Sequence, residues 1–462
     1  MSRVGPRNLT KEGRSIGASG SVVRRLFVAS GLDQAWAALF AARDPSLSAE
    51  AGPRADGRWS SRYESLDLWR ALIAIGIVLH HAGHVNFGIN TGRVVLFFVI
   101  SGYCIVASAE SCLRRGMSGW EFFARRARRI YPPYLLALLF WAGTRAVKMY
   151  RGGENDLIYR FDGMPRSAWD WVYNVTLTQW LPIVSCPVGR PGDNPALFVA
   201  AYWSLAYEEQ FYIVVSLMFG IALVAPWARM RWMVAVLVPG AIAYGLLFPQ
   251  TIRGLFIEFW VAFAVGAAVY YRLSVLTERR WRRAIDVLLV GLVLFGLAGL
   301  RFDERIGDEI DRSKWHEWIL AGTFALLLIG LRRFDARIAG MVVMAPLRAI
   351  GRITYSMFLI HQFNLVLIAT MSSRLIRAVD PGYVASATAA GGSHFPWYDM
   401  VLQLFLHIVL AAIFWVFCEY PFLNKALSSE RPAVSGAEPA GTEPMAVQSG
   451  HVPPAAVASR GE

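Results

Sequence analysis

The chain has 462 residues, 55% of them hydrophobic, with a mean hydropathy of +0.40 and a formal charge of +13. That apolarity at this length excludes an ordinary soluble globular protein and predicts a multispanning membrane protein. Lysine occurs only at Lys11, Lys148, Lys314 and Lys425, so arginine carries most of the positive charge, and it does so in short segments between apolar runs. This pattern follows the positive-inside rule and argues against a nucleic-acid groove.

The first 65 residues are rich in Arg, Ser and Gly, and their best apolar stretch, 35–42, is too short for a secretory signal. Residues 1–63 are read as a cytoplasmic N-terminal extension, with the first true span acting as the internal membrane signal. Apolar runs then place ten helices at 66–86, 92–109, 130–148, 203–225, 231–249, 253–272, 284–300, 317–331, 352–371 and 399–418. The fold class expected is an all-α polytopic membrane protein, with about ten transmembrane helices enclosing a central channel or cavity. Arg114, Arg115, Arg125, Arg126, Arg128 and Arg129 follow the second run, Arg272, Arg279, Arg280, Arg282 and Arg283 the sixth, and Arg332, Arg333 and Arg337 the eighth. All three groups share one side if the N-terminus is cytoplasmic. The segment 149–202, rich in Trp, Asn, Pro and Gly, and the mixed-charge segment 301–316 suit the outer face, and 169–181 reads as an interfacial or re-entrant helix. Residues 64–424 form the transmembrane domain, and 425–462 a disordered cytoplasmic tail. Cys104, Cys112, Cys186 and Cys418 have no metal-ligand spacing and form no expected disulfide framework.

Ionisable residues inside apolar helices are costly and usually functional. Arg70 and His81, eleven residues apart, lie about 20° apart around a helix and roughly 16 Å apart along it. His80 points about 80° away from Arg70, so His81 is the better candidate. Ser101-Gly102, inside Phe97-Phe-Val-Ile-Ser-Gly-Tyr-Cys-Ile105, suits close helix packing or a place in a site. Arg126 and Arg129 are one turn apart, a geometry that grips phosphate or anchors topology. In Trp203-Ser-Leu-Ala-Tyr-Glu-Glu-Gln-Phe-Tyr212, Glu208 enters the membrane at the depth expected of His81, where a carboxylate fixes the tautomer and stabilises the imidazolium of a general base. His361 either lines a cavity or satisfies a neighbouring helix, and Glu419 is read as a structural partner for an arginine.

Together these segments resemble the acyltransferase-3 family of integral membrane acyltransferases, over roughly residues 64–424. Arg70 with His81 resembles its Arg-ten residues-His signature, and Phe97 to Ile105 its Phe-Phe-Val-x-Ser-Gly-Phe run. Arg126 and Arg129 match its Arg-x-x-Arg motif, and Trp203 to Tyr212 its Trp-Ser-Leu-x-x-Glu-x-x-Phe-Tyr segment. Gly351 to His361 and Glu419-Tyr-Pro-Phe422 are similar to its closing motifs. Many members carry a polar residue two positions before the paired Phe, where this chain has Val95. With no large esterase-like domain after the tenth run, the resemblance is to the stand-alone form.

The resemblance implies O-acyl transfer, most often of acetyl, from a cytoplasmic acyl-CoA to a hydroxyl of an extracytoplasmic or lipid-linked carbohydrate, in a bacterial inner membrane. His81, Glu208 and Arg70 are then the catalytic candidates, and Arg126, Arg129 and Ser101 the donor-binding ones. Trp203, Tyr207 and His361 are the acceptor-binding candidates. No metal or tightly bound cofactor is expected; the partners are acyl-CoA, a carbohydrate or glycolipid acceptor and membrane lipid. The competing class is a secondary transporter using Arg70, His81 and Glu208 as a relay.

Overall fold

The computed structural model describes residues 63–83, 92–150, 167–185, 198–224, 230–247, 254–306, 313–381 and 396–427, with residues 35, 38, 39, 59 and 165. Among the described residues there is no strand, and each of the ten apolar runs overlaps a helix. In chain order the helices used below are α1 (Leu66–His81), α2 (Gly92–Arg114), α3 (Gly119–Tyr150), α4 (Ala168–Val175), α5 (Trp203–Val224) and α6 (Met230–Leu247). They continue as α7 (Trp260–Tyr270), α8 (Arg279–Ile306), α9 (Ser313–Leu331), α10 (Ala345–Arg352), α11 (Thr354–Val379) and α12 (Trp397–Phe414).

Five stretches are long and apolar enough to cross a membrane: Val94–Arg114, Ala200–Ala222, Phe256–Val275, Arg279–Arg301 and Trp397–Leu423. A sixth arises if Val342–Arg352 and Thr354–Gln362, bent by 57°, form one broken span. The count falls short of the ten read from hydropathy for physical reasons. Helix α1 has only 16 residues, and α3 carries Arg125, Arg126, Arg128 and Arg129 on the same continuous helix as its apolar half. Helix α8, itself one of the five, has a largely exposed apolar face (Val287, Leu288, Leu294), as a lipid-facing surface is.

Helix α1 ends at His81, five residues before the predicted boundary. Gly83 adopts a left-handed φ of 78° and donates its N–H to the His80 carbonyl at 3.0 Å, a glycine stop that leaves His81 on the last turn. The start of α1 is pinned by Asp335, only 1% exposed. Its two carboxylate oxygens accept the N–H groups of Glu64 and Ser65, both at 2.7 Å, and it pairs with Arg332. Removing this carboxylate strands a buried guanidinium and two orphan amides. Asp335→Ala should therefore cost about 3–5 kcal/mol, read as a fall in thermal midpoint; a midpoint within a degree of wild type would refute the anchoring role.

Helices α2 and α7 cross at backbone contact. A Cβ on Gly102 would fall 2.0 Å from the Phe263 carbonyl oxygen, and one on Gly266 would fall 1.9 Å from that of Val99. Beside the crossing, Phe263 stacks on Phe98 (4.7 Å) and Phe211 (3.9 Å), fastening α5 to the same core. A Cβ on Gly351 would likewise fall 2.0 Å from the Asp67 carbonyl oxygen, which sets α10 against α1.

Most of the proposed N-terminal extension and of the tail lies outside the described residues. Ala35 and Leu39 are buried against the helical core, and Arg352 donates to the carbonyls of Ala38 and Leu39 at 2.6 and 2.9 Å. Part of the extension is thus docked on the transmembrane domain.

Candidate active site

Helices α1, α2, α3, α5, α10 and α11 enclose a cavity of about 160 Å³. Its polar lining is Arg70, Ser101, Cys104, Arg126, Arg129, Ser204, Glu208, Tyr212, Arg352, Thr354 and Tyr355. Five residues singled out in the sequence, Arg70, Ser101, Arg126, Arg129 and Glu208, thus converge on one space although up to 138 positions separate them. The convergence follows from the close α2–α7 crossing, which holds Ser101 and Cys104 at the cavity wall, and from the 57° bend, which turns Arg352 inward.

One end of the cavity is cationic. Arg70 donates from Nη2 to Cys104 Sγ and from Nη1 to Asp67 Oδ1, each at 3.1 Å. Arg126 reaches the carbonyl of the same Cys104 at 3.5 Å, and its guanidinium lies over the rings of Phe122 and Tyr212 at 5.7 and 5.8 Å. Arg129 lies within electrostatic reach of Tyr212 and of Glu419, and Glu419 accepts Ser356 Oγ at 2.6 Å. Four guanidinium groups face the cavity with one carboxylate, Glu208. Such an excess of positive charge over negative at one cavity favours an anion there.

Glu208 does not meet His81. Its Oε1 accepts the hydroxyls of Tyr212 at 2.6 Å and Ser101 at 3.3 Å, and it lies within electrostatic reach of Arg70. Equal depth in the membrane assumed that α5 starts at the outer surface, level with the end of α1. Instead the chain is already buried before α5 begins, with Phe198, Val199 and Tyr202 at most 1% exposed. Glu208 instead shares the cavity wall with Arg70, and Arg70 and His81 are separated by about 16 Å of helix.

The other end of the cavity reaches His81 indirectly. Ile77 and Phe358 line the cavity, each about one turn before an imidazole, His81 on α1 and His361 on α11. The rings of these histidines lie 5.1 Å apart, and the His80 ring lies 5.5 Å from that of His81. His81 is exposed, whereas His361 is 1% exposed.

Trp203 and Tyr207 do not line the cavity. Trp203 packs among Phe98, Tyr207 and Phe259. The Tyr207 hydroxyl accepts Trp180 Nε1 at 3.1 Å and the Gly254 N–H at 2.6 Å, and donates to Glu258. This junction fastens the segment after α4 to α5. Gly254 has φ 86°, and a Cβ there would fall 2.1 Å from the Trp180 carbonyl oxygen.

Cys104, Tyr212, Arg352 and Tyr355 are lining residues to which sequence reading gave no role. Arg352 was the most accessible of them, an arginine next to Gly351 at the start of the closing motif. The buried ladder Asp399, Gln403 and His407 on α12 was also missed, although its spacing of four marks one helix face. Among the described residues no group of three or more His, Cys, Asp or Glu is placed to hold a metal ion.

No curated protein and no solved structure matches the chain. The acyltransferase-3 family, described as an acyltransferase domain, matches over residues 63–422, a span that contains every cavity-lining residue. The chain belongs to this family of membrane acyltransferases.

Proposed function

We propose that this protein is an O-acyltransferase, acetyl being the expected group, which takes the acyl group from cytoplasmic acyl-CoA and passes it to a hydroxyl of an extracytoplasmic or lipid-linked carbohydrate in a bacterial inner membrane. The observation that carries this reading is a single cavity with Arg70, Arg126, Arg129 and Arg352 at one end and, at the other, Ile77 and Phe358 one turn short of two imidazoles. Guanidinium forks suit phosphate oxygens, so the phosphates of the donor are assigned to the arginines. An extended pantetheine arm then spans the roughly 16 Å between Arg70 and His81, and a volume of about 160 Å³ suits a slender chain. His81 serves as the general base that removes the proton of the acceptor hydroxyl. Glu208, held by Ser101 and Tyr212, offsets part of the arginine charge along the route.

The test is release of free thiol from acetyl-CoA by the purified full-length chain, compared with the Arg126→Lys, Arg129→Lys double variant. Lysine keeps the charge and the topology signal but lacks the planar fork. The apparent constant for acetyl-CoA should rise about tenfold or more, as expected for loss of one charge-assisted hydrogen bond of roughly 1.5–3 kcal/mol, with normal insertion. An unchanged donor dependence would sink the phosphate assignment. An anion transporter would bind acetyl-CoA without releasing thiol.

A further inference from the structure

His361 is buried in α11 with one nitrogen bound and the other not. Its Nδ1 lies 2.6 Å from the Phe358 carbonyl oxygen. A carbonyl can only accept, so Nδ1 carries the hydrogen and Nε2 presents a lone pair. That Nε2 has no hydrogen-bond partner among the described residues. An acceptor left in this state inside a protein is destabilising, so the position calls for a donor. His81 is the ring beside it, with centroids 5.1 Å apart and planes at 47°. As the exposed last residue of α1, His81 has room to turn about its side-chain torsions and direct an N–H at Nε2.

We infer that His361 is the positioning residue for His81: its Nε2 accepts the His81 N–H and so fixes the tautomer that leaves the other His81 nitrogen bare for the acceptor hydroxyl. The inference rests on the reading of His81 as the base. It gives His361 a different task from acceptor binding. An acceptor behind the reacting group that orients an imidazole and fixes its tautomer is a recurrent device in catalytic sites. Here the acceptor is uncharged, which spares a buried carboxylate in this part of the membrane domain. When His81 takes the hydroxyl proton, the bond to His361 becomes charge-assisted and strengthens. The hydroxyl oxygen then bonds to the acyl carbon, the carbon–sulfur bond breaks, and the departing thiolate receives the proton from His81. His361 keeps its Nδ1 hydrogen throughout. Because Phe358 both supplies the carbonyl and lines the cavity, one turn of α11 orients the imidazole and shapes the donor channel.

The experiment measures kcat and KM for acetyl-CoA, by thiol release, in the full-length protein carrying His361→Phe, His361→Gln, His81→Ala, and His81→Ala combined with His361→Phe. Phenylalanine keeps a ring without an acceptor, and should lower kcat about 10- to 100-fold at unchanged KM. Glutamine retains an acceptor oxygen and should recover most of that loss. In the His81→Ala background, His361→Phe should change nothing further. If His361→Phe fails to give folded protein, His361→Leu takes its place with the same expectation. A glutamine variant no better than phenylalanine, a loss confined to KM, or a full additional loss in the double variant would overturn the inference while leaving His81 as the base. Wild-type thiol release by His81→Ala itself would overturn the base assignment.

Discussion

His81→Ala is expected to lower acyl transfer by about 10²- to 10⁴-fold, the usual worth of a positioned general base, while leaving membrane insertion and thermal midpoint unchanged. The structural part of this expectation follows from where His81 sits. It is the last residue of α1, exposed, so truncation opens no cavity in the core. The chemical part follows from its neighbours. The cavity is lined by Ile77, one turn before it, and the only other exposed or half-buried imidazole beside it among the described residues is His80, 5.5 Å away by ring centroid. His80→Ala is accordingly expected to retain substantial activity, because its side chain points about 80° away from the Arg70 face. Normal turnover in His81→Ala, or equal and complete loss in both variants, would count against the assignment. Acyl transfer can be followed as thiol release from acetyl-CoA, and folding by the elution profile of the purified protein.

Gly102→Val should prevent folding to the native state. The Cβ that any substitution adds would stand 2.0 Å from the Phe263 carbonyl oxygen and 2.9 Å from its Cα, both backbone atoms that cannot rotate away. Relief requires α2 and α7 to separate, and Gly266 forms the reciprocal contact with Val99 on the same crossing. Separation would also unstack Phe98 and Phe263 and withdraw Ser101 and Cys104 from the cavity wall. Overpacking usually costs about 1–3 kcal/mol where side chains can adjust; with rigid backbone on both sides the loss should exceed that range. The expected result is aggregated protein on size-exclusion chromatography, with Gly102→Ala showing a smaller defect of the same kind. A monodisperse Gly102→Val sample with a wild-type thermal midpoint would show that the crossing is not close-packed as described.

The residues that meet in the cavity were legible individually because each breaks a local rule of its helix. Arg70, Glu208, Arg126 and Arg129 are charges next to apolar runs, and such charges are retained for a purpose. Helix existence was equally legible, since apolar runs of this length have few alternatives in a membrane. The number of membrane crossings was not, because hydropathy scores each run in isolation, whereas the 57° bend, the 16-residue α1 and the arginines within α3 are properties of continuous helices.

By itself, the sequence determined the helical class, the order of the motifs and the chemical types assembled at the site, because periodicity and the cost of burying charge act over a few residues. Only the tertiary structure decided which of these residues meet. It set Glu208 beside Ser101 and Tyr212, in one cavity with Arg70 and away from His81; it moved Tyr207 into a junction with Trp180, Gly254 and Glu258; and it brought His361 to His81. The physical reason is that depth counted along a helix fixes position only when the start of that helix is known. The burial of the chain ahead of α5 and the glycine contacts of α2, α7 and α10 fix those starts through contacts between residues far apart in the chain.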